Sequence, residues 1–357
     1  MLVRSMLITE ISRPDLPDWD RHEKVIHARD HDTGLDAIIA VHNTRLGPGL
    51  GGCRFHRYPD FDAALTDALR LSRGMTYKNA MAGLALGGGK SVIIGNGRDM
   101  RGAEREKLML AMGAAVQSLG GKYVAAEDMH TNEHDMGVMR GVTPYVCGLP
   151  AAQRKGVGGN PSPLTARGVL RAIEVAVGGS LSGLKVAVQG AGSVGYALCG
   201  LLHKAGAQLW VSDMHDEATR RCRDDFGAVV VPTGDIYSAP VDLFAPCAMG
   251  AILNDQTIPV LRARMVVGAA NNQLAQARHA DALAARGILY APDYIANAGG
   301  VIFVGCEYLG AVDEAAVVAQ VDRIGETLRE VFDFAAEKQI TSAAAADELA
   351  RARFSAK

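Results

Sequence analysis

The chain has 357 residues, 48% of them hydrophobic, and a formal net charge of −2; that length suits two domains of ordinary size, each able to bury its own core. The near-balance of charge gives no electrostatic case for nucleic acid or an anionic membrane as partner, no apolar run is long enough to span a bilayer, and no signal pattern opens the chain. The cysteines, Cys53, Cys147, Cys199, Cys222, Cys247 and Cys306, are scattered without CxxC pairs, which predicts small buried hydrophobes of a reducing, cytoplasmic compartment, with neither a disulfide framework nor a zinc site.

In chain order, Leu35–His42 is a β-branched apolar run and reads as a buried strand. Asn43–Arg54 reads as a glycine-rich loop, and taken alone Gly47-Pro-Gly-Leu50-Gly51-Gly52 is equally a turn between strands. A helix is predicted from Phe61 to Leu71, with Ala64, Leu65, Ala68 and Leu69 on one face. Next comes Met75–Lys90, which holds Lys78 and Lys90 with apolar and glycine-rich sequence between them and no acidic residue. A lysine is ordinarily a solvated surface group. Here Gly87-Gly88-Gly89 lets backbone approach a ligand closely, and Lys90 leads into the strand-like Ser91–Ile94. An ammonium drawn into such a setting, partly desolvated and near a second positive charge, is prepared for proton transfer, while the other lysine stays charged and holds a carboxylate.

A helix is predicted over Ala103–Leu119, ended by Gly120-Gly121. Tyr123–Asp128 then reads as a short strand delivering Glu127 and Asp128 to its end, where a lone acid would ordinarily cap a helix. His130-Thr-Asn-Glu133-His134 fits the inverted zinc-protease pattern, which needs both histidines on one helix and a further acidic ligand downstream. No such ligand helix is evident, and no metal is expected. The turn-rich stretch from Lys155 to Thr165 suits a hinge, and Thr165 alone would be the N-cap of a helix over Ala166–Val177.

The strand Lys185–Gln189 leads into Gly190-Ala-Gly192-Ser193-Val194-Gly195 and a helix with Leu198, Leu201 and Leu202 among its apolar positions; the next strand, Gln208–Val211, ends at Asp213. This full unit is the dinucleotide fingerprint: glycines for close approach, a helix N-terminus for the pyrophosphate, and an acid for the ribose 2′-hydroxyl. Asp213 would repel a 2′-phosphate, which favours NAD over NADP. Strand–loop units follow at Leu243–Gly250 and Met265–Asn272, where the pair Asn271-Asn272 would otherwise be an ordinary turn. Helices are predicted at Asp313–Ala336 and Thr341–Phe354.

The segment MTYKNAMAGLALGGGK (Met75–Lys90) resembles the active-site segment of the leucine, phenylalanine, valine and glutamate dehydrogenase superfamily, its leucine branch above all, and further motifs recur in the family's order through nearly the whole chain. The resemblance implies a two-domain α/β fold with the active site in the cleft between domains: an N-terminal substrate and oligomerisation domain (1–147 plus 336–357) and a Rossmann NAD-binding domain (148–335). The implied reaction is reversible NAD-dependent oxidative deamination of an L-amino acid by a homo-oligomer. Lys78 would hold the substrate carboxylate, Lys90 would be the general base, and Asp128 would exchange protons with the amine. Gly51 and Gly52 match substrate-contacting backbone. Thr165, Cys247, Ala248 and Asn271 match the nicotinamide side, and Asn272 matches a substrate contact, although which asparagine touches substrate is left open. The side-chain pocket maps onto Leu50, Ala126, Val301 and Val304; Leu50 stands where glutamate-specific members carry a lysine, so a buried glutamate carboxylate would have no partner. Lys-Asn-Ala-x-Ala-Gly-Leu and Ala-Glu-Asp lean toward leucine, while Gly-Gly-Cys-Arg and Cys-Gly-Leu-Pro echo phenylalanine dehydrogenases. His130 departs from the glycine usual in the leucine branch. Competing readings are a non-catalytic NAD sensor, which should have lost the lysine pair or Asp128, and a hydroxy-acid dehydrogenase, which should carry a catalytic histidine paired with a carboxylate.

Overall fold

The computed structural model describes residues 6–153 and 156–355. Two compact units are present: Met1–Gly159 with Val304–Glu314 and Ala350–Lys357, and Asn160–Phe303 with Ala315–Leu349. The change of unit at 159/160 falls inside the glycine-rich run expected to act as a hinge, whose first residue, Lys155, lies outside the described residues. Of the stretch 336–357 expected to rejoin the first unit, only 350–357 does so, and 304–314 joins it as well.

The first unit is a six-stranded sheet ordered β1-β2-β3-β5-β4-β6, with β1 Met6–Glu10, β2 Lys24–Asp30, β3 Leu35–Asn43, β4 Gly49–His56, β5 Gly87–Ile94 and β6 Tyr123–Glu127. β1, β2, β3 and β5 pair antiparallel, whereas β5, β4 and β6 run parallel. Helix α1 (Phe61–Met81) covers one face, with Ala64, Leu65, Ala68 and Leu69 packed on Ile38, Ala40 and Val92. Helices α2 (Gly102–Gln117) and α3 (Glu133–Arg140) cover the other, where Leu108, Met112 and Met136 meet Ile39, Val41, Cys53 and Phe55. Alternate residues of β3 thus feed two cores, as a strand buried on both faces requires.

Three local expectations are corrected here. Gly49–Arg54 is strand, not loop, and Gly87–Gly89 opens β5 instead of standing before it. α1 begins at the Asp60 cap, whose side chain accepts from the Ala63 amide at 2.8 Å, and runs past Leu71 to Met81, so Lys78 is helical. Glycine reads as a breaker in sequence, but these glycines serve close packing: a Cβ on Gly88 would strike the Thr76 amide of α1, and one on Gly51 the Gly89 carbonyl.

The second unit is a parallel sheet ordered β12-β11-β10-β7-β8-β9. Its elements in chain order are α4 Ser162–Val177, β7 Lys185–Gln189, α5 Ser193–Lys204, β8 Gln208–Ser212, α6 Asp216–Phe226, β9 Val229–Val230, β10 Leu243–Pro246, β11 Met265–Val266, α7 His279–Ala285, β12 Leu289–Tyr290 and α8 Asp293–Ala296. Helix α9 (Gly299–Tyr308) follows, and the single helix expected over Asp313–Ala336 is two, α10 Glu314–Asp322 and α11 Ile324–Lys338. Asp322, the last residue of α10, is held by Arg167 and Arg171 of α4 at 2.7 and 2.9 Å. The chain ends in α12, Ser342–Ser355. Among the described residues no helix is long and apolar enough to cross a membrane.

Candidate active site

In the first unit, the parallel register of β4 and β5 sets Cys53 opposite Ser91, which brings Gly52 beside Lys90; Gly52 is also paired with Ala126, two residues before Asp128. Lys90 is 6% exposed, and its Nζ lies 2.8 Å from Asp128 Oδ2. Two residues 38 positions apart meet because Gly52 has no side chain: a Cβ there would stand 2.6 Å from Asp128 Cβ and 3.0 Å from Lys90 Nζ. Burial alone raises the Asp128 carboxyl, but the Lys90 ammonium and the Arg54 guanidinium outweigh it and hold the group well below the usual carboxylate range. Arg54 Nε donates to the same Oδ2 at 3.0 Å, and its Nη1 donates to Asp67 Oδ2 at 2.8 Å.

Lys78 is half-buried on the last turn of α1, next to Asn79, which is fully buried and donates through Nδ2 to the Gly87 carbonyl. Of the four pocket positions, Leu50 is 1% exposed and Ala126 8%. Val304 is half-buried and also belongs to the first unit, whereas Val301, half-buried too, belongs to the second.

The histidine pattern dissolves in three dimensions. α3 begins at Glu133, capped by Asn132, so His130 precedes the helix instead of sharing it with His134. His130 stands at φ 62, donates through Nδ1 to the Phe55 carbonyl at 2.9 Å and accepts from Arg98 Nε at 2.9 Å. This backbone conformation explains why glycine is at home there. Among the described residues no group of three or more His, Cys, Asp or Glu could hold a metal ion.

In the second unit, Gly190 has φ 95 and its amide donates to the Ser212 carbonyl at 2.7 Å. Gly195 packs so tightly that a Cβ would overlap the Gly190 carbonyl, whereas a Cβ on Gly192, the N-cap of α5, would meet nothing within 4 Å. Ser193 is exposed and Val194 half-buried on the first turn beyond that open space. The residues fit a dinucleotide: a closed glycine turn behind, an open helix N-terminus in front and Asp213 at the end of β8. Asp213 accepts from the Ala191 amide at 2.7 Å and the His215 amide at 2.9 Å, which ties the acid to the turn.

Thr165 lies inside α4, not at its cap; its hydroxyl donates to the Pro161 carbonyl at 3.0 Å, and a Cβ on Gly300 would stand 2.7 Å from it. Cys247 and the exposed Ala248 follow β10, and burial pushes the Cys247 thiol up to about 12. Asn271 Oδ1 accepts from Asn297 Nδ2 at 2.9 Å, while Asn272 is exposed at φ 51.

Sequence reading missed Arg54, Asp67 and the Asn297 amide as parts of these sites. Alternation along β4, with Cys53 and Phe55 in one core, already sets Arg54 on the Gly52 face; Asp67 had no sequence signal beyond its place on α1.

Comparison with known proteins gives concordant matches. Residues 22–145 match the family described as Glu/Leu/Phe/Val dehydrogenase, dimerisation domain, and residues 213–354 match Glutamate/Leucine/Phenylalanine/Valine dehydrogenase. The chain is 47% identical to leucine dehydrogenase of Geobacillus stearothermophilus, covering 93% of this chain and 90% of that protein. It is 44% identical to phenylalanine dehydrogenase of Lysinibacillus sphaericus, covering 91% and 87%. The crystal structure of L-tryptophan dehydrogenase from Nostoc punctiforme superposes with a TM-score of 0.82 at 42% identity, covering 94% of this chain and 96% of that one.

Proposed function

The chain belongs to the Glu/Leu/Phe/Val dehydrogenase family, and from that premise we propose that it catalyses reversible NAD-dependent oxidative deamination of an apolar L-amino acid, leucine and its branched-chain neighbours first, to the 2-oxo acid and ammonia. The observation that carries this reading is the pairing of buried Lys90 with half-buried Asp128, 2.8 Å apart across a strand position that has no side chain. NAD, held by Gly190, Gly192, Ser193, Val194, Gly195 and Asp213 with Thr165, Cys247, Ala248 and Asn271 toward the nicotinamide, supplies when bound the acceptor for the hydride that leaves Cα.

Lys78 holds the substrate carboxylate as a point charge. Asp128, kept ionised, takes a proton from the substrate ammonium, so that the amine nitrogen can donate its lone pair as the imine forms. Lys90 removes a proton from the water that attacks the imine, and Asp128 returns a proton to the departing ammonia. Gly51 and Gly52 are the backbone positions that match substrate contacts, and of the asparagine pair Asn271 is engaged by Asn297.

Of the positions matched to the side-chain pocket, Leu50, Ala126 and Val304 belong to the first unit and Val301 to the second. All are apolar, so glutamate should be a poor substrate. Similarity to phenylalanine and tryptophan dehydrogenases supports phenylalanine as the second reading, because an apolar pocket separates neighbours by only about 1–3 kcal/mol per methylene. Amino-acid-dependent NADH formation across leucine, isoleucine, valine, phenylalanine, tryptophan and glutamate tests the assignment; glutamate ranked first would refute it. A homo-oligomer is supported by the family description of residues 22–145 as a dimerisation domain, and solution mass tests it. A cytoplasmic site is supported by the six cysteines, none of them in a disulfide, and tested by fractionation.

A further inference from the structure

We propose that Arg54 is a positioning residue for the Lys90–Asp128 pair, steered in turn by Asp67 and Tyr58. The inference rests on the reading of that pair as the proton-transfer groups given above. Because Cys53 and Phe55 of β4 fill the core under α2, Arg54 is directed to the face that carries Gly52, Lys90 and Asp128. Its side chain is only 19% exposed, and Asp67, which it holds, only 13%. One rigid guanidinium bridges two carboxylates, through Nε to Asp128 at 3.0 Å and Nη1 to Asp67 at 2.8 Å. Asp67 Oδ2 accepts in addition from the Tyr58 hydroxyl at 2.7 Å. Charge therefore alternates along Asp67, Arg54, Asp128 and Lys90, so that no member of the row is buried unpaired.

The contact with Asp128 has a specific geometry. Arg54 Nε and Lys90 Nζ both meet Oδ2, and Oδ1 has no hydrogen bond among the described residues. A lysine on its flexible stem could follow either oxygen, whereas a guanidinium fixed at its far end by Asp67 selects one. Arg54 thus sets the carboxylate plane and leaves Oδ1 open for the substrate amine. Charged and titratable groups that interact with Asp128 or Lys90 include Cys53 on β4 and Tyr123 on β6, with Asp67 on α1 and Tyr58 behind Arg54.

Arg54→Ala, Arg54→Lys and Asp67→Asn test this, each followed by kcat, KM, the pH profile of kcat/KM, NAD affinity and thermal unfolding. Arg54→Ala should lower kcat by about 10-fold to 100-fold, the loss expected of a misplaced catalytic pair, with KM changed much less. Free guanidinium should restore part of that loss. Arg54→Lys keeps the charge without the fork and should recover kcat only in part. Asp67→Asn reaches the pair only through Arg54 and should lower kcat in the same direction by less, at unchanged KM and NAD affinity. If Arg54→Ala does not fold, Arg54→Lys and Asp67→Asn decide the matter. An active enzyme whose kcat is indifferent to Arg54→Lys and Asp67→Asn would overturn this inference alone; an unmutated enzyme that oxidises none of the amino acids would overturn the functional reading and this inference with it.

Discussion

In the first unit the proposed proton-transfer pair ends a row of side-chain charges drawn from two strands, a helix and the end of a third strand, each neutralised by the next: Asp67, Arg54, Asp128, Lys90. In the second unit the dinucleotide site is mostly backbone: amides at the start of α5, glycines where any Cβ would collide, and one open N-cap at Gly192. A site made of charges depends on ionisation and on atoms that substitution removes. A site made of backbone depends on atoms that are missing, so it tolerates pH and suffers when atoms are added. The two halves should therefore respond differently to the same kinds of perturbation.

The largest separation is expected from Lys90→Ala. Turnover should fall by about 10²- to 10⁴-fold, with NAD affinity intact, because no backbone amide of the dinucleotide turn is touched. Lys78→Ala should act chiefly on KM. Steady-state kinetics with an NAD titration on each variant checks both, and a comparable loss of NAD affinity in Lys90→Ala would erase the contrast.

Acid should break the first unit before the second. His22 is buried against His42, hydrogen-bonded to Ser72 at 2.9 Å, and burial with the neighbouring imidazole lowers it from 6.5 to about 4. A base whose folded value lies below its unfolded one is protonated first in the unfolded chain. Its stabilising contribution is complete above 6.5 and is lost as pH falls toward about 4, with an upper bound of about 3 kcal/mol. Thermal melts over that window should show a falling transition for the first unit and a flatter one in His22→Gln. Equal acid sensitivity of the two units would contradict the comparison.

Asp213→Ser should narrow the preference for NAD over NADP by about tenfold, equivalent to about 1.4 kcal/mol, since Asp213 is the acid that would accept from the ribose 2′-hydroxyl and repel a 2′-phosphate. The ratio of kcat/KM with the two cofactors measures it. The smallest effect belongs to His130→Gly: relief of the residue at φ 62 offsets loss of the bonds to Phe55 and Arg98, leaving stability within about 1 kcal/mol. A larger loss would mean that His130 fastens the loop after Asp128.

The Rossmann unit was legible because its signals are local: Gly190-Ala-Gly192-Ser-Val-Gly195 between β7 and α5, with Asp213 ending β8. In the first unit the same residue type misled. Glycines at 49, 51 and 52 read as loop and those at 87–89 as a close approach to a ligand, yet they are strand residues whose missing side chains let β4, β5 and α1 close up. Lys90 and Asp128 were found through motif, but their charge partner was not. Arg54 lies 74 residues from Asp128 and 13 from Asp67, and no periodicity links such positions. Only the strand register brings them into one row.

The tail of α12 belongs to the first unit, where Arg351 Nε donates to the Tyr77 hydroxyl at 2.8 Å, Arg353 Nη1 to the Met81 carbonyl at 3.1 Å, and the Phe354 ring rests against Tyr77 and His42. During synthesis, the turn of α1 that bears Lys78 emerges early and waits for the final stretch of chain to lock it. The second unit needs nothing beyond Leu349. The domain translated first is thus the last to be finished: its closing contacts come from residues made after the last residue of the second unit.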